Sequence, residues 1–312
     1  MRVVFLGSGR FAIPSLEALL EAGHEVAAVV TQPDREKGRG QQVAPPPVKP
    51  VAEGRGLRVL QPRRVREPDA IAALEELRPE LQVVVAYGQI LPRRVIDIAP
   101  RGTVNVHASL LPRYRGAAPI QWAIARGETQ TGVTTMLIDE GLDTGPILLA
   151  RAIPIGADET AADLEPRLAA IGGQLLVETL AELAAGRLQP VPQDHAKATL
   201  APLLRKEDGN VDWSFPADQI ASRVRGFHPW PGSSTRVGER ALKVLRAQPC
   251  ASPPGTDLAP GTILEIGPLG VAVRCGGETA LRLLEVQPES RRAMSAQAFA
   301  SGAHLALGQR FS

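Results

Sequence analysis

Short apolar runs alternate with helix-like segments through the first half of the chain. The strand-like runs lie at residues 2–6, 25–31, 57–60, 81–87, 102–107 and 132–139, and the helix-like segments at residues 15–22, 69–78, 119–126 and 161–185. This alternation is typical of parallel strands that are joined by crossover helices. The run Val83-Val84-Val85-Ala86 is apolar at every position, as expected for a central strand covered on both faces. The pattern predicts an α/β fold with a doubly wound, mainly parallel, Rossmann-like sheet.

The second half of the chain follows a different pattern. Helical periodicity fails after residue 187 in a stretch that contains Pro190, Pro192 and Pro202, which is typical of a linker. Strand-like runs then follow at residues 241–245, 261–265, 271–274 and 280–284, separated by glycine and proline. We therefore expect a first domain over residues 1–188, a linker over 189–207 and a smaller domain over 208–312. Its pattern predicts a β-barrel of the oligonucleotide-binding type, and it fits a small sandwich equally well.

Charge and cysteine content exclude some classes of protein. The 35 Lys and Arg nearly balance the 33 Asp and Glu, so attraction of a nucleic acid would depend on local basic patches. Cys250 and Cys275 lack the spacing of a disulfide framework or a structural zinc site, which fits a reducing cytoplasm. The apolar run at residues 2–6 is too short to span a membrane. We therefore expect a cytoplasmic protein without a metal.

Two polar side chains occur on the strand predicted at residues 102–107. Side chains alternate along a strand, so Asn105 and His107 should point to the same face, at the carboxyl end where open α/β sheets bind ligands. Asp143 follows in the segment Gly141-Leu142-Asp143-Thr144-Gly145. Taken singly, these residues could be a core histidine, a turn asparagine and a turn aspartate. Together, they predict a polar site.

An amide, an imidazole and a carboxylate can together transfer an acyl group to an amine. Asn105 and His107 can donate hydrogen bonds to the oxyanion that forms when an amine attacks a carbonyl. Asp143 can pair with His107 or accept the proton that the amine loses. Metal catalysis lacks a third ligand of recognisable spacing, and serine hydrolysis lacks a G-x-S-x-G motif.

The turn after the first strand supports an alternative function. Gly7-Ser8-Gly9-Arg10-Phe11-Ala12 matches the G-x-G-x-x-A pattern of dinucleotide-binding folds, which would indicate a nicotinamide oxidoreductase. The second predicted strand, however, ends without an acidic residue that could bind a ribose. The glycines could equally serve only to form a tight turn.

Three further segments are candidates for ligand contacts. Residues 87–92 leave a buried strand at the carboxyl edge of the sheet, where main-chain groups could bind a flat heterocycle. Residues 113–116 bring positive charge beside the predicted site. Residues 34–42 form a long, polar, glycine-rich loop, which could be only a solvated loop or could bind a ligand.

The segments at 105–112, 113–122 and 141–145 resemble the catalytic core of the 10-formyltetrahydrofolate-dependent formyltransferases, and the similarity covers nearly the whole chain. The resemblance implies that Asn105, His107 and Asp143 are catalytic and that no metal is required. It also implies that 10-formyltetrahydrofolate, the formyl donor, binds two segments. Their residues are Ser109, Leu110, Leu111 and Pro112 in the first, and Val85, Ala86, Tyr87, Gly88, Gln89, Ile90 and Leu91 in the second.

The acceptor is indicated by features outside this core. The loop from Thr31 to Gly40, the segments 212–213 and 228–232, and residues 293–297 most resemble the branch of the family that formylates methionylated initiator tRNA. The expected acceptor contacts are Arg35, Lys37 and Arg39 of the loop, and Phe11. An amino-sugar nucleotide or another small amine is the alternative acceptor, since other branches share the core. The family usually has Gly-Thr-Pro where this chain has Gly7-Ser8-Gly9. We expect a monomer.

Overall fold

The computed structural model describes residues 1–37, 42–252 and 258–312. These residues form two compact units. The first contains residues 1–117, 131–154 and 165–201, and the second contains residues 118–130, 155–164 and 202–312. The division of the chain at residues 188 and 208 stays a prediction.

A seven-stranded sheet lies at the centre of the first unit. Its strands are β1 (Arg2–Gly7), β2 (Glu25–Val30), β5 (Val59–Leu60), β6 (Leu81–Val85), β7 (Thr103–His107), β8 (Gln130–Leu137) and β9 (Ile147–Pro154), and a separate pair is formed by β3 (Arg35–Lys37) and β4 (Gln42–Ala44). Along the chain lie the helices α1 (Ile13–Glu21), α2 (Val48–Gly54), α3 (Pro68–Glu76), α4 (Arg93–Ile96), α5 (Pro119–Ala125) and α6 (Ala161–Ala184).

The strand order is β5-β2-β1-β6-β7-β8-β9, and the strands from β5 to β7 pair in parallel. Strand β8 joins β7 in the antiparallel direction. All five residues of β6 are buried between β1 and β7, which explains why the run Val83-Val84-Val85 is apolar without alternation. The predicted doubly wound, mainly parallel sheet is confirmed.

Several parts of the first unit differ from the sequence-based expectation, and the helices α2 and α4 are among the elements that the sequence does not predict. The segment predicted as a loop at residues 34–42 contains part of the β3–β4 pair, in which Arg35 lies opposite Ala44. The sequence does not predict strand β9. This strand lies at the edge of the sheet with a neighbouring strand on one side only, so packing selects its side chains less strongly. The beginning of the predicted linker is packed against the unit, since Ile147 and Val191 exchange two backbone hydrogen bonds of 2.8 Å.

The second unit contains an antiparallel sheet of six strands, and the helices α5, α7 and α8 lie within its described residues. Its strands are β10 (Ser233–Val237), β11 (Arg240–Cys250), β12 (Ile263–Gly267), β13 (Gly270–Arg274), β14 (Ala280–Pro288) and β15 (Met294–Ser295), and the further helices are α7 (Ala217–Gly226) and α8 (Ala296–Ala303). Strands β10 and β12 are the two ends of the order β10-β11-β14-β13-β12. Residues 309–312 form backbone hydrogen bonds with both of these strands. Ser312 pairs with Arg236 in β10, and the N–H of Ile263 in β12 donates to the Gln309 carbonyl. The sheet therefore closes, and the predicted small barrel is confirmed.

Trp213 and Phe311 anchor the barrel core. Their ring centroids are 5.7 Å apart, and the indole N–H of Trp213 donates to the Thr235 hydroxyl at 3.0 Å. Within the described ranges, none of the helices combines the length and apolar character that a membrane crossing requires.

Candidate active site

The Asp143 carboxylate is the point where the polar groups of the predicted site meet. Asn105 Nδ2 lies 3.5 Å from Asp143 Oδ1, and His107 Nδ1 lies 3.6 Å from Asp143 Oδ2. The Gly116 backbone N–H also donates to Oδ2, at 2.8 Å. Asn105 and His107 reach the same carboxylate because they are two positions apart on β7 and share a face, as the alternation predicted.

The contacts of His107 define which ring nitrogen faces the carboxylate. His107 is buried, with only 6% of its surface exposed, and its Nε2 lies 2.9 Å from the Tyr114 carbonyl oxygen. A carbonyl oxygen only accepts hydrogen bonds, so Nε2 carries the hydrogen of this bond. The Nδ1 edge is therefore the side of the ring that faces Asp143.

The turn after β7 is attached to the neighbouring strand through Thr134, which lies opposite His107 on β8. The Thr134 hydroxyl donates to the Ser109 carbonyl at 2.7 Å and accepts from the Leu111 N–H at 3.1 Å. The Ser109 hydroxyl donates to the Arg113 carbonyl at 2.7 Å. These bonds satisfy buried polar groups of the turn and hold the carboxyl end of β7 in place.

The loop that carries Asp143 is closed by Asp139, at the end of β8. Asp139 Oδ1 accepts hydrogen bonds from the Gly141 N–H at 3.0 Å and from the Thr144 hydroxyl at 2.7 Å. Asp143 itself has a φ of 51°, in the left-handed region that residues other than glycine rarely adopt. The side chain thus depends on a backbone conformation that neighbouring groups must maintain.

The segment 85–91, expected to bind the folate, presents only alternate residues at the surface. Ala86, Gly88 and Ile90 are exposed, and Ile90 has 91% of its surface accessible. Val85, Tyr87 and Leu91 are instead buried, and burial raises the pKa of the Tyr87 hydroxyl. Gln89 Oε1 accepts from the Val65 N–H at 2.7 Å, so this side chain holds a neighbouring loop.

In the other expected folate segment, Ser109 is completely buried and Leu111 has 7% of its surface exposed, while Leu110 and Pro112 are partly exposed. A ligand at this turn would therefore contact mainly Leu110, Pro112 and main-chain groups.

The glycine turn after β1 lacks the free donors of a dinucleotide site. The backbone N–H groups of Ser8 and Gly9 both point to the Ala86 carbonyl, at 3.3 and 3.4 Å. A phosphate needs such N–H groups unoccupied at the start of a helix. Gly7 is required for another reason: a Cβ there would lie 2.6 Å from the Phe5 ring. The oxidoreductase alternative therefore loses the observation that supported it.

The residues expected to contact the acceptor are not gathered in one place. Phe11 is buried, with 8% of its surface exposed, and its ring packs beside Gly172 in α6. Arg35 is exposed and donates to Gln32 Oε1 at 2.9 Å. The backbone of Lys37 pairs with Gln42, and Arg39 lies outside the described residues. Over residues 1–37, 42–252 and 258–312, no three His, Cys, Asp or Glu side chains form a group that could bind a metal.

Two family models match the chain. Residues 1–180 match the model described as formyl transferase, and residues 203–304 match that of the formyl transferase C-terminal domain. The chain belongs to the formyl transferase family.

Two proteins that are similar to this chain over nearly its whole length are named methionyl-tRNA formyltransferase. The protein from Solibacter usitatus is 53% identical over 310 residues, which cover 99% of this chain and 98% of the relative. The protein from Citrifermentans bemidjiense is 52% identical over 308 residues, which cover 99% of this chain and 95% of the relative. The fold is shared with a solved N-formyltransferase from Helicobacter canadensis, which is in complex with folinic acid and dTDP-3-aminofucose. The TM-score is 0.67 and the sequence identity is 16%, and the match covers 92% of this chain and 98% of that one.

The sequence does not predict three groups of the candidate active site: the Tyr114 carbonyl, the Gly116 N–H and the Gln193 side chain. Backbone groups leave little trace in a sequence, although a glycine beside the motif was a possible signal. Gly116 has a φ of 120°, and a Cβ there would lie 2.6 Å from the Ala201 carbonyl oxygen. Gln193 gave no signal, because it lies in the predicted linker.

Proposed function

We propose that this chain transfers a formyl group from 10-formyltetrahydrofolate to the α-amino group of methionine on initiator tRNA. The observation that carries the proposal is the convergence of Asn105, His107 and the Gly116 N–H on the Asp143 carboxylate. Identity of 53% and 52% to two proteins named methionyl-tRNA formyltransferase supports the choice of acceptor over an amino-sugar nucleotide.

The reaction forms a bond between the α-amino nitrogen and the formyl carbon, and it breaks the bond between that carbon and N10 of the folate. The amine loses one proton and N10 gains one, so no redox partner or covalent enzyme intermediate is needed. A free α-amino group has a pKa of about 7.7 to 8.0, so part of it is neutral near pH 7. The site must therefore position the two reactants and stabilise the charge that develops between them.

Addition of the amine converts the formyl oxygen into an oxyanion. Asn105 Nδ2 has two hydrogens, and its 3.5 Å contact with Asp143 uses one of them, so the other serves the oxyanion. The Nδ1 edge of His107 supplies a second donor when that nitrogen is protonated. One such donor contributes about 10² to 10³ to the rate of an acyl transfer.

Asp143 accepts the proton that the amine loses, either directly or through a water molecule. Its carboxylate is half-buried, 3.6 Å from His107 Nδ1, and is held by the short hydrogen bond from Gly116. A general base must be held within hydrogen-bond reach of the proton it removes. The folate would contact the exposed Ala86, Gly88 and Ile90, which lie at the carboxyl edge of β6.

The acceptor arm of the tRNA would contact Arg35, Lys37 and Arg39, and the barrel would bind the tRNA through phosphate contacts and shape. Formylated initiator tRNA is used by the ribosome, so we place the protein in the cytoplasm. We propose that it acts as a monomer.

The test offers three acceptors in parallel to the protein with formyl-labelled 10-formyltetrahydrofolate: methionyl-tRNA, glycinamide ribonucleotide and an amino-sugar nucleotide. The label should move to methionyl-tRNA and not to the other two. Uncharged tRNA is the control, because it has the same phosphates without the α-amino group. Transfer to the sugar nucleotide alone would overturn the proposed acceptor, and the absence of transfer to all three would overturn the activity.

A further inference from the structure

A single side-chain amide holds the backbone on which Asp143 depends. Gln193 Nε2 donates to the Asp143 carbonyl oxygen at 2.9 Å and to the Gly145 carbonyl oxygen at 2.7 Å. These two bonds span the end of the loop where Asp143 has its left-handed φ of 51°. Conformations of this kind persist only where the surroundings maintain them. Both hydrogens of the Gln193 amide are used in doing so.

The orientation of this amide follows from the chemistry of its partners. Gln193 Oε1 accepts from Arg115 Nε at 3.1 Å and from Arg115 Nη2 at 2.7 Å. A guanidinium only donates hydrogen bonds and a carbonyl oxygen only accepts them, so the amide cannot be reversed. Gln193 therefore links the Arg115 guanidinium to the main chain of Asp143.

Arg115 is itself fixed in position. Only 6% of its surface is exposed, and its Nη1 lies 3.2 Å from His195 Nδ1. Its backbone N–H donates to the Thr199 carbonyl at 2.8 Å, and its carbonyl accepts from the Ala201 N–H at 2.7 Å. A buried guanidinium with three directed bonds is a rigid support, because its planar group has few alternative geometries.

The residues on either side of Arg115 contact the proposed catalytic groups directly. The Tyr114 carbonyl accepts from His107 Nε2, and the Gly116 N–H donates to the Asp143 carboxylate. We infer that Gln193 is a positioning residue, which Arg115 orients so that Asp143 stays in register with His107. This inference rests on the proposed formyl transfer.

The test replaces Gln193 with methionine, which is similar in length but cannot donate to the two carbonyls. The matched control is Gln82→Met: Gln82, like Gln193, is buried, and it donates to a backbone carbonyl, that of Val95, at 2.7 Å. In Gln193→Met, kcat should fall by about 10- to 100-fold, the size of effect that follows from a small misplacement of a catalytic group. The KM for 10-formyltetrahydrofolate should change by less than about twofold, because the polar atoms of Gln193 bond to Arg115 and to the main chain of the Asp143 loop. Gln82→Met should lower the melting temperature with kcat retained.

A second variant, Gln193→Glu, keeps an acceptor for Arg115 but places a carboxylate oxygen against two carbonyl oxygens. We expect it to fold and to lose kcat as Gln193→Met does. The decisive comparison introduces Gln193→Met into an Asp143→Asn background, where its effect on kcat should largely disappear, since residues that act through one group are not additive. An unchanged kcat in either single variant, or full additivity in the double variant, would overturn the inference. Failure of the wild-type protein to formylate methionyl-tRNA would instead overturn the proposed function.

Discussion

Replacing Asp143 by asparagine tests the centre of the proposed mechanism. Asparagine keeps the size of the side chain and tolerates the left-handed backbone that Asp143 adopts, with φ of 51°. It removes the charge and turns one acceptor oxygen into a donor. In the native site both oxygens face N–H donors, those of Asn105 and Gly116. An asparagine can satisfy only one of the two.

The stronger contact decides how the new amide is oriented. The Gly116 N–H is 2.8 Å away and Asn105 Nδ2 is 3.5 Å away, so the amide oxygen should face Gly116 and its NH₂ group should face Asn105. Loss of a hydrogen bond to a charged group costs about 1.5 to 3 kcal/mol. Loss of the general base lowers the rate by a further factor, typically about 10² to 10⁴. We expect kcat for formyl transfer to fall by at least about 10², which corresponds to about 2.7 kcal/mol of barrier.

Asp139→Asn is the matched control, because the same chemical change occurs in the same loop. Asp139 uses a single oxygen, Oδ1, for its bonds from Gly141 and Thr144, so an asparagine can keep both. Single-turnover transfer of labelled formyl to methionyl-tRNA should be near normal in this variant. A kcat for Asp143→Asn within about threefold of wild type, or an equal loss in Asp139→Asn, would refute the assignment of Asp143 as the base.

Three further predictions follow from local geometry and charge. Gly116→Ala should lower both the melting temperature and kcat, because its φ is 120° and its Cβ would meet a carbonyl, whereas Gly54→Ala has open space and should be tolerated. Hydrogen bonds from Thr160 hold the pKa of Asp163 below its usual value of 3.8. These bonds stabilise the folded protein fully above pH 3.8, and this stabilisation is lost as the pH falls through the lower pKa of the folded state. Asp163→Asn should therefore make the melting temperature less sensitive to acid. Arg39→Ala should weaken use of methionyl-tRNA, leave folate binding unchanged and reduce the salt slope of tRNA binding by about 0.7 to 0.9, with partial recovery in Arg39→Lys; an unchanged slope would exclude a phosphate contact.

Local sequence patterns were sufficient to predict the class of the fold and one side of the site. The run Val83-Val84-Val85 in β6 predicts a central strand because burial on both faces favours apolar side chains at successive positions. Asn105 and His107 could be assigned to one face because the period of a strand is two residues. These features are local, so they can be recognised from neighbouring residues alone.

The surroundings of Asp143, in contrast, depend on long-range packing. Asn105 is 38 residues from Asp143 and Gln193 is 50 residues from it, and no local pattern records such pairings. The Gly116 N–H and the Tyr114 carbonyl are backbone groups that most residues would supply, so their use depends on where the chain passes. Closure of the barrel by residues 309–312 likewise depends on two edge strands that meet the same segment. Periodicity and propensity specify strands and helices, but long-range packing specifies which of their ends come together.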